Sequence, residues 1–336
     1  MRIDVPGADK WRLISEVFRN SLPFQEPAVY VQAYLGFQHA LYEAAHGLAR
    51  LFSHKKTIAV VGAIEPAIDS IIIGFSEEGY TIKQFAPEDA DDVSTWLPVL
   101  QNELAFVLFV EDNSVTGEIY DHAKFHAALK DKRIFRLSVS HASYREQAIA
   151  RPQPFETRIL SLRPDMAVLV AGERFRMTPI LAARLSWSSE AAALAASQLV
   201  ALGSEDIESK RSTVVSLEQN LPAGFKAYLS GAKSRTSDRA VFFHEEMDGS
   251  AVIDEVARLA GQVIAAPGSD GVLESSSSCR WSQPRFAEWL TRQGMSAEAI
   301  RGLIMIDSSW IQQVGVEQFA SYLKTAAENI LKIQNP

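Results

Sequence analysis

Residues 57–61 read TIAVV, residues 62–68 read GAIEPAI, and after Gly79 residues 81–85 read TIKQF. A threonine and four apolar residues in a row, too short for a helix, make a buried strand; a glycine turn and an amphipathic helix from about Glu65 to Glu78 follow, then a second strand. The same alternation continues downstream. A helix fits Asp91 to Glu103, a strand Ala105 to Val110, a helix Ile119 to Lys132, and strands Ile134 to Val139 and Met166 to Val170. Short apolar strands separated by amphipathic helices predict a mostly parallel, doubly wound sheet covered on both faces.

Upstream, a short helix is expected around Trp11 to Phe18, broken at Ser21-Leu22-Pro23. A longer helix is expected from Val29 to Phe52, with Leu35, Leu41, Ala45 and Leu48 on its apolar face. Downstream of Trp187, helices are expected at Ser189 to Leu202 and Asp206 to Leu217. A smaller α/β unit then follows from Ala240–Phe243, Val252–Leu259, Gln262–Ala265, Leu303–Ile306 and a last helix, Val316 to Ile333. The serine run Ser275 to Ser278 reads as a loop. These boundaries divide the chain into an N-terminal arm (1–26), a large domain (27–218) and a small C-terminal α/β domain (219–336).

With 336 residues and a formal charge of −8, the chain is long enough for a large and a small domain and shows no broadly basic nucleic-acid surface. Its single cysteine, Cys279, excludes a disulfide framework and a cysteine-rich metal site. There is no apolar run of about 18 residues, and the start MRIDVPGADKW has no secretory apolar core, so a cytoplasmic protein without membrane contact is expected. The turn after TIAVV lacks the further glycines of a dinucleotide fingerprint, and there is neither a GxxxxGK[ST] loop nor a GxSxG elbow. His122 and His126 are four apart and share a helix face, but without a Glu between them or a third ligand they read as a solvated face; no metal is expected. His244-Glu245-Glu246 ends a strand and is not HExxH.

Four places, taken in order, resemble the large domain of fold-type-I pyridoxal-phosphate (PLP) enzymes, in particular the class V aminotransferase and cysteine desulfurase branch. Val61 to Ile68, VGAIEPAI, looks like the "sGaTEAi" turn. There Gly62, Ala63 and Ile64 would bind the cofactor phosphate at a helix start, although Ile64 lacks the hydroxyl of the usual threonine. Phe106 to Asp121 looks like the "hNptTG" strand end, with Asn113 approaching the cofactor ring and Gly117 as the turn glycine; a helix capped by polar residues is the plainer reading. Ile134 to Tyr144 looks like the "vDgaHa" strand, with His141 lining the cavity and Ser138 where an aspartate would pair with the pyridine nitrogen. Val168 to Trp187 looks like "sgHKf.gP.G"; Phe175 and Pro179 set the offset and put Arg174 at the position of the Schiff-base lysine.

By this resemblance Asp89 would stand where a ring-stacking side chain is usual. Arg301, with Arg280 as a rival, would grip a substrate carboxylate. A guanidinium stays protonated and forms no imine, and the next lysine, Lys210, lies well past this loop. The resemblance therefore implies a homodimeric, aminotransferase-like protein that lacks PLP Schiff-base chemistry and acts as a ligand-binding or partner subunit. No bound cofactor is expected. Gly62, Ala63, Asn113, Ser138, His141 and Arg174 would line a pocket for a small anionic or amino-acid-like ligand, with Arg176 adding charge. Two alternatives stay open: a working PLP aminotransferase or lyase using another lysine such as Lys233, and an unrelated doubly wound enzyme using His141 and Asp112.

Overall fold

The structure, a computed structural model, describes residues 30–34, 36–130, 132–141, 152–163, 166–172, 174, 207–228, 234–261, 273–275 and 284–334. The expected elements at Trp11–Phe18, Ser189–Leu202 and Gln262–Ala265, and the break at Ser21–Pro23, lie outside them. The chain divides into two compact units. The first holds the described residues up to Gly62, Ser70–Glu111, and those from Tyr120 to Arg174; the second holds Ala63–Asp69, Asp112–Ile119 and the described residues from Ile207 onward.

The first unit is built on a seven-stranded sheet of β1 (Tyr30–Tyr34), β2 (Thr57–Val61), β3 (Thr81–Phe85), β4 (Leu104–Val110), β5 (Arg136–Ser140), β6 (Glu156–Arg163) and β7 (Met166–Ala171), in the order β1-β7-β6-β5-β4-β2-β3. β3, β2, β4, β5 and β6 pair in parallel, whereas β7 runs antiparallel to both β6 and β1. Every residue of β2, β4 and β5 is buried; β4 is an unbroken apolar run and β2 is apolar after Thr57, whereas β5, RLSVS, buries Arg136, Ser138 and Ser140 with its Leu and Val. One face packs Ala59, Val61, Val107 and Phe109 against Phe125 and Leu129 of α4 (Ala123–Leu129) and Val93 and Leu97 of α3 (Val93–Leu100). On α1 (Phe37–Leu51) the residues Leu41, Ala44, Ala45 and Leu48 are buried. Phe75 of α2 (Pro66–Glu77) meets Phe106 of β4 edge to face at 6.2 Å.

Where the elements differ from the sequence expectations, a local cause is visible. The helix expected from Val29 to Phe52 is instead strand β1 followed by α1: YVQAY is rich in β-formers, and Gly36 at φ 86° separates the two elements. The helix expected from Asp91 becomes a 3₁₀ turn, Pro87–Asp92, leading into α3, since the Asp89 carboxylate accepts the Ala86 N–H at 2.7 Å. The helix expected from Ile119 starts only at Ala123, because Ile119 is held in a β-bridge to Asp112. β6 was not anticipated; its charged ends, Glu156 and Arg163, hide the buried Ile159, Leu160 and Leu162.

The second unit has a four-stranded antiparallel sheet in the order β10-β11-β9-β8, from β8 (Phe225–Ala227), β9 (Arg239–His244), β10 (Leu273–Ser275) and β11 (Leu303–Asp307). With it come α5 (Ile207–Gln219), α6 (Gly249–Ala260), α7 (Pro284–Arg292), α8 (Ala297–Arg301), α9 (Ser308–Val314) and α10 (Val316–Gln334). Its core joins Phe242, Ile304 and Ile306 to Val252, Trp310, Phe319 and Leu323. Asp248 and Asp307 cap α6 and α9, each accepting a backbone N–H at 2.8 Å. Ser275, the first of the serine run, closes β10; residues 276–278 lie outside the described set.

Gly62 gives a direct test of the sheet's geometry. It has φ 112°, and a Cβ there would lie 3.0 Å from the Val110 Cβ and 3.1 Å from the Val110 carbonyl oxygen. Gly62→Val is expected to destabilise the chain by about 2–4 kcal/mol, read as a lower urea midpoint, since it combines backbone strain with overpacking.

Candidate functional site

In open parallel sheets ligands bind beyond the carboxyl ends of the strands. In the first unit Gly62 follows β2, Glu111 follows β4 and His141 follows β5. The backbone of Gly62 is consumed by the sheet: its N–H donates to the Phe85 carbonyl at 2.9 Å and its carbonyl accepts from Gln84 Nε2 at 3.0 Å. His141 sits half-buried, its ring 4.4 Å from that of Phe37. Ser138 lies within β5, between Phe109 and Arg158 in register, and its Oγ is buried without a hydrogen-bond partner.

A second group at the end of β4 was not singled out as functional in the sequence. The Glu111 carboxylate lies 3.7 Å from His126 Nε2, each side chain about one quarter exposed. His122 is 3% exposed; its Nε2–H donates to the Val110 carbonyl at 2.6 Å, while Nδ1 is buried without a partner. The His122 and His126 ring centroids are 6.4 Å apart. Burial pushes the Glu111 carboxyl up, but the facing His126 imidazole and the charges of His122 and Arg158 outweigh it and hold the group below the ordinary carboxylate value. Burial pushes the His122 imidazole below its ordinary value, against the opposing pull of Glu111. The sequence signal was the four-residue histidine spacing; its partner Glu111, eleven residues upstream, could only be found once β4 was placed.

Arg174 is not brought to this edge. Because β7 runs antiparallel, its end lies where β5 and β6 begin: the Gly172 N–H donates to the Glu156 carbonyl at 2.8 Å and the Arg174 N–H to the Pro154 carbonyl at 3.0 Å. The Arg174 guanidinium is exposed, 5.9 Å from the centre of the Phe155 ring. The offset drawn from Phe175 and Pro179 therefore set Arg174 at the opposite end of the sheet from Gly62 and His141. The connection that does reach the carboxyl edge is the β6–β7 hairpin, where Arg163 pairs with Met166. Phe175, Arg176, Pro179, Lys233 and Arg280 lie outside the described residues.

In the second unit, Ala63 and Ile64 are buried, and α2 begins with Pro66, which has no N–H to offer an anion. The first turn carries acid instead. Glu65, fully buried, accepts from the Ser114 N–H at 2.5 Å and the Ser114 hydroxyl at 2.6 Å, and Asp69 accepts from Arg285 at 2.8 Å. Asn113 closes its own loop: Oδ1 accepts the N–H groups of Val115 at 2.8 Å and Thr116 at 3.0 Å, and Gly117, at φ 71°, completes the turn. Asp112 faces Arg239, which is also bonded to Asp238 at 2.7 Å and sits near Asp307; burial lowers the guanidinium pKa, and the three carboxylates more than reverse that. Arg301 is exposed in the last turn of α8, where a cation suits the helix dipole, and Lys210 lies on α5.

One unit has six strands in one direction with β7 reversed and the other a smaller antiparallel sheet, a fold like that of the fold-type-I PLP-dependent transferases. Solved structures bear this out. The chain superposes on a NifS-like protein from Rickettsia africae with TM-score 0.70 and 14% identity, covering 97% of this chain and 91% of that one. The cysteine desulfurase CsdA from Escherichia coli gives TM-score 0.69 and 12% identity over 98% and 87%. The ureidoglycine-glyoxylate aminotransferase from Bacillus subtilis gives 0.65 and 13% over 98% and 88%. No protein-family model matches the chain, and no curated protein matches it by sequence. Among the described residues no helix is long and apolar enough to cross a membrane, and no group of three His, Cys, Asp or Glu side chains could hold a metal ion.

The depressed His122 pKa sets a sign for acid stability. With the folded value below the unfolded value of 6.5, the unfolded chain binds the proton first, so stability falls as pH drops below 6.5. Glu111 acts lower: its contribution is present above 4.5 and is lost as pH falls through its depressed folded value. His122→Phe is expected to lose about 1 kcal/mol of stability near pH 7 with the Val110 hydrogen bond. It should also flatten the decline in denaturant midpoint between about pH 6.5 and 5.

Proposed function

We propose that this chain is a transferase-fold protein without PLP Schiff-base chemistry, acting as a ligand-binding or partner subunit rather than as an aminotransferase. The observation that carries the reading is that no lysine occurs between Lys132 and Lys210, a span that includes β5, β6, β7 and both of their connections. The absence of an amine does not depend on where Arg174 stands, because no residue of that span is a lysine. None of the lysines among the described residues is buried. The turn expected to hold phosphate lacks a hydroxyl at Ile64, lacks an N–H at Pro66 and carries the carboxylates Glu65 and Asp69, and Ser138 offers a pyridine nitrogen no counter-charge. The residues present do not fit PLP.

The ligand of this reading is small and anionic or amino-acid-like, with Ser138 and His141 the first-unit side chains offered to it. A homodimer is part of the proposal.

The test uses the purified 336-residue chain. Added PLP should produce no imine absorption band and no borohydride-fixed mass increase, and calorimetric titration with PLP should show no saturable heat. A pyridoxyl group fixed on any lysine, Lys233 foremost, would overturn the reading in favour of a working PLP enzyme.

A further inference from the structure

The edge of the large sheet opposite the strand carboxyl ends has a composition unlike that of the chain as a whole. The turns before β2, β4, β5 and β6, and the end of β7, lie along it. Their sequences carry Lys55, Lys56, Lys130, Lys132, Arg133 and Arg174, against the carboxylates Glu103, Asp131 and Glu173, in a chain of net charge −8. Lys56, Lys130, Lys132, Arg133 and Arg174 are exposed. The run stops before β3, whose turn bears Glu77 and Glu78.

Beneath these cations the rings form a continuous row. Phe52 packs on Phe135 at 5.3 Å, and Phe135 packs edge to face on Phe155, also at 5.3 Å. Lys55 Nζ stands 5.4 Å from the centre of the Phe52 ring and the Arg174 guanidinium 5.9 Å from that of Phe155, so the row is covered at both ends by a cation. The rings thus hold two of the charges, those of Lys55 and Arg174, in place, at little further entropy cost on binding.

We propose that this basic edge docks an acidic polypeptide segment of a partner protein. Single-stranded nucleic acid is the other polyanion that cations among aromatic rings suggest, but it needs ring faces open to stacking. Here the Phe52 and Phe155 rings are covered by their cations, and Phe135 is only 8% exposed. What remains is charge on a rigid apolar footing, which suits carboxylates on a flexible chain. The proposal is independent of the PLP reading, because it uses the other end of the sheet.

The experiment measures binding of fluorescent poly-L-glutamate and of an oligo-dT of similar charge to the 336-residue chain, at about 20 mM and about 200 mM salt. Poly-glutamate is expected to bind at low salt, more tightly than oligo-dT, and to weaken at high salt. The pair Lys132→Glu/Arg133→Glu and the single Arg174→Glu should each weaken it, the pair by about tenfold or more. Lys324→Glu, an exposed cation on α10, should leave it unchanged. Far-UV circular dichroism and the urea midpoint report that each variant is folded. Absence of low-salt binding, equal loss in Lys324→Glu, or tighter binding of oligo-dT would overturn the proposal, the last in favour of nucleic acid.

Discussion

Burial of β2, β4 and β5 on both faces is the constraint from which the first unit follows. Strands covered on both faces favour apolar side chains, so LAFVLFV is apolar throughout and TIAVV is apolar after Thr57, while the one charge of β5, Arg136, stands at its first residue and donates to Gln153. Phe109 shows the consequence: it is fully buried, packs on Phe125 edge to face at 6.1 Å, and stacks with His126 at 4.4 Å. Apart from Ser138 within β5, polar chemistry is thereby placed toward the two ends of these strands. Glu111 and His141 emerge at one end, and the Phe52, Phe135 and Phe155 row at the other.

The reversal of β7 then decides which residues can share a site. A parallel sheet has one carboxyl edge, and a strand running the other way delivers its own end to the far side. Arg174 follows β7 and so stands with Pro154 and Phe155, while the β6–β7 hairpin reaches the edge of Gly62 and His141. A residue's distance along the chain from a motif says nothing about this; direction of travel does.

In the second unit the organising interaction is ionic. Arg239, with Asp238, Asp112 and Asp307 around it, ties the Asp112–Ile119 loop to β9 and to the cap of α9. The loop is also pinned by backbone: Thr236 N–H donates to the Gly117 carbonyl at 2.8 Å, and Ile119 N–H to the Ser234 carbonyl at 2.8 Å. A Cβ on Gly117 would come within 2.9 Å of Thr236 Oγ1 and 3.0 Å of Arg239 Cγ, so this glycine serves close packing as much as its own turn. Removing one partner from such a buried ion cluster leaves an uncompensated charge, which is costlier than the net worth of the pair.

Much of the architecture could be read from residue order alone. The alternation of short apolar runs with amphipathic segments located β2, β3, β4 and β7 to within a residue and β5 to within two; for β2 and β4 burial on two faces leaves no room for a competing pattern, whereas the partly exposed β3 was marked by its place after Gly79. The absence of lysine from 133 to 209 is likewise a property of the sequence, and it holds however the chain is folded. Strand β1 was not legible because its partner, β7, is distant in the chain; β6 was hidden by its charged ends, and the late start of α4 is set by the Asp112–Ile119 bridge, which periodicity does not report. The same applies to the meeting of Glu111 with His122 and His126, and to the exile of Arg174. Periodicity reports which side of an element is buried; only tertiary pairing sets which way a strand runs and whose side chain waits at its end.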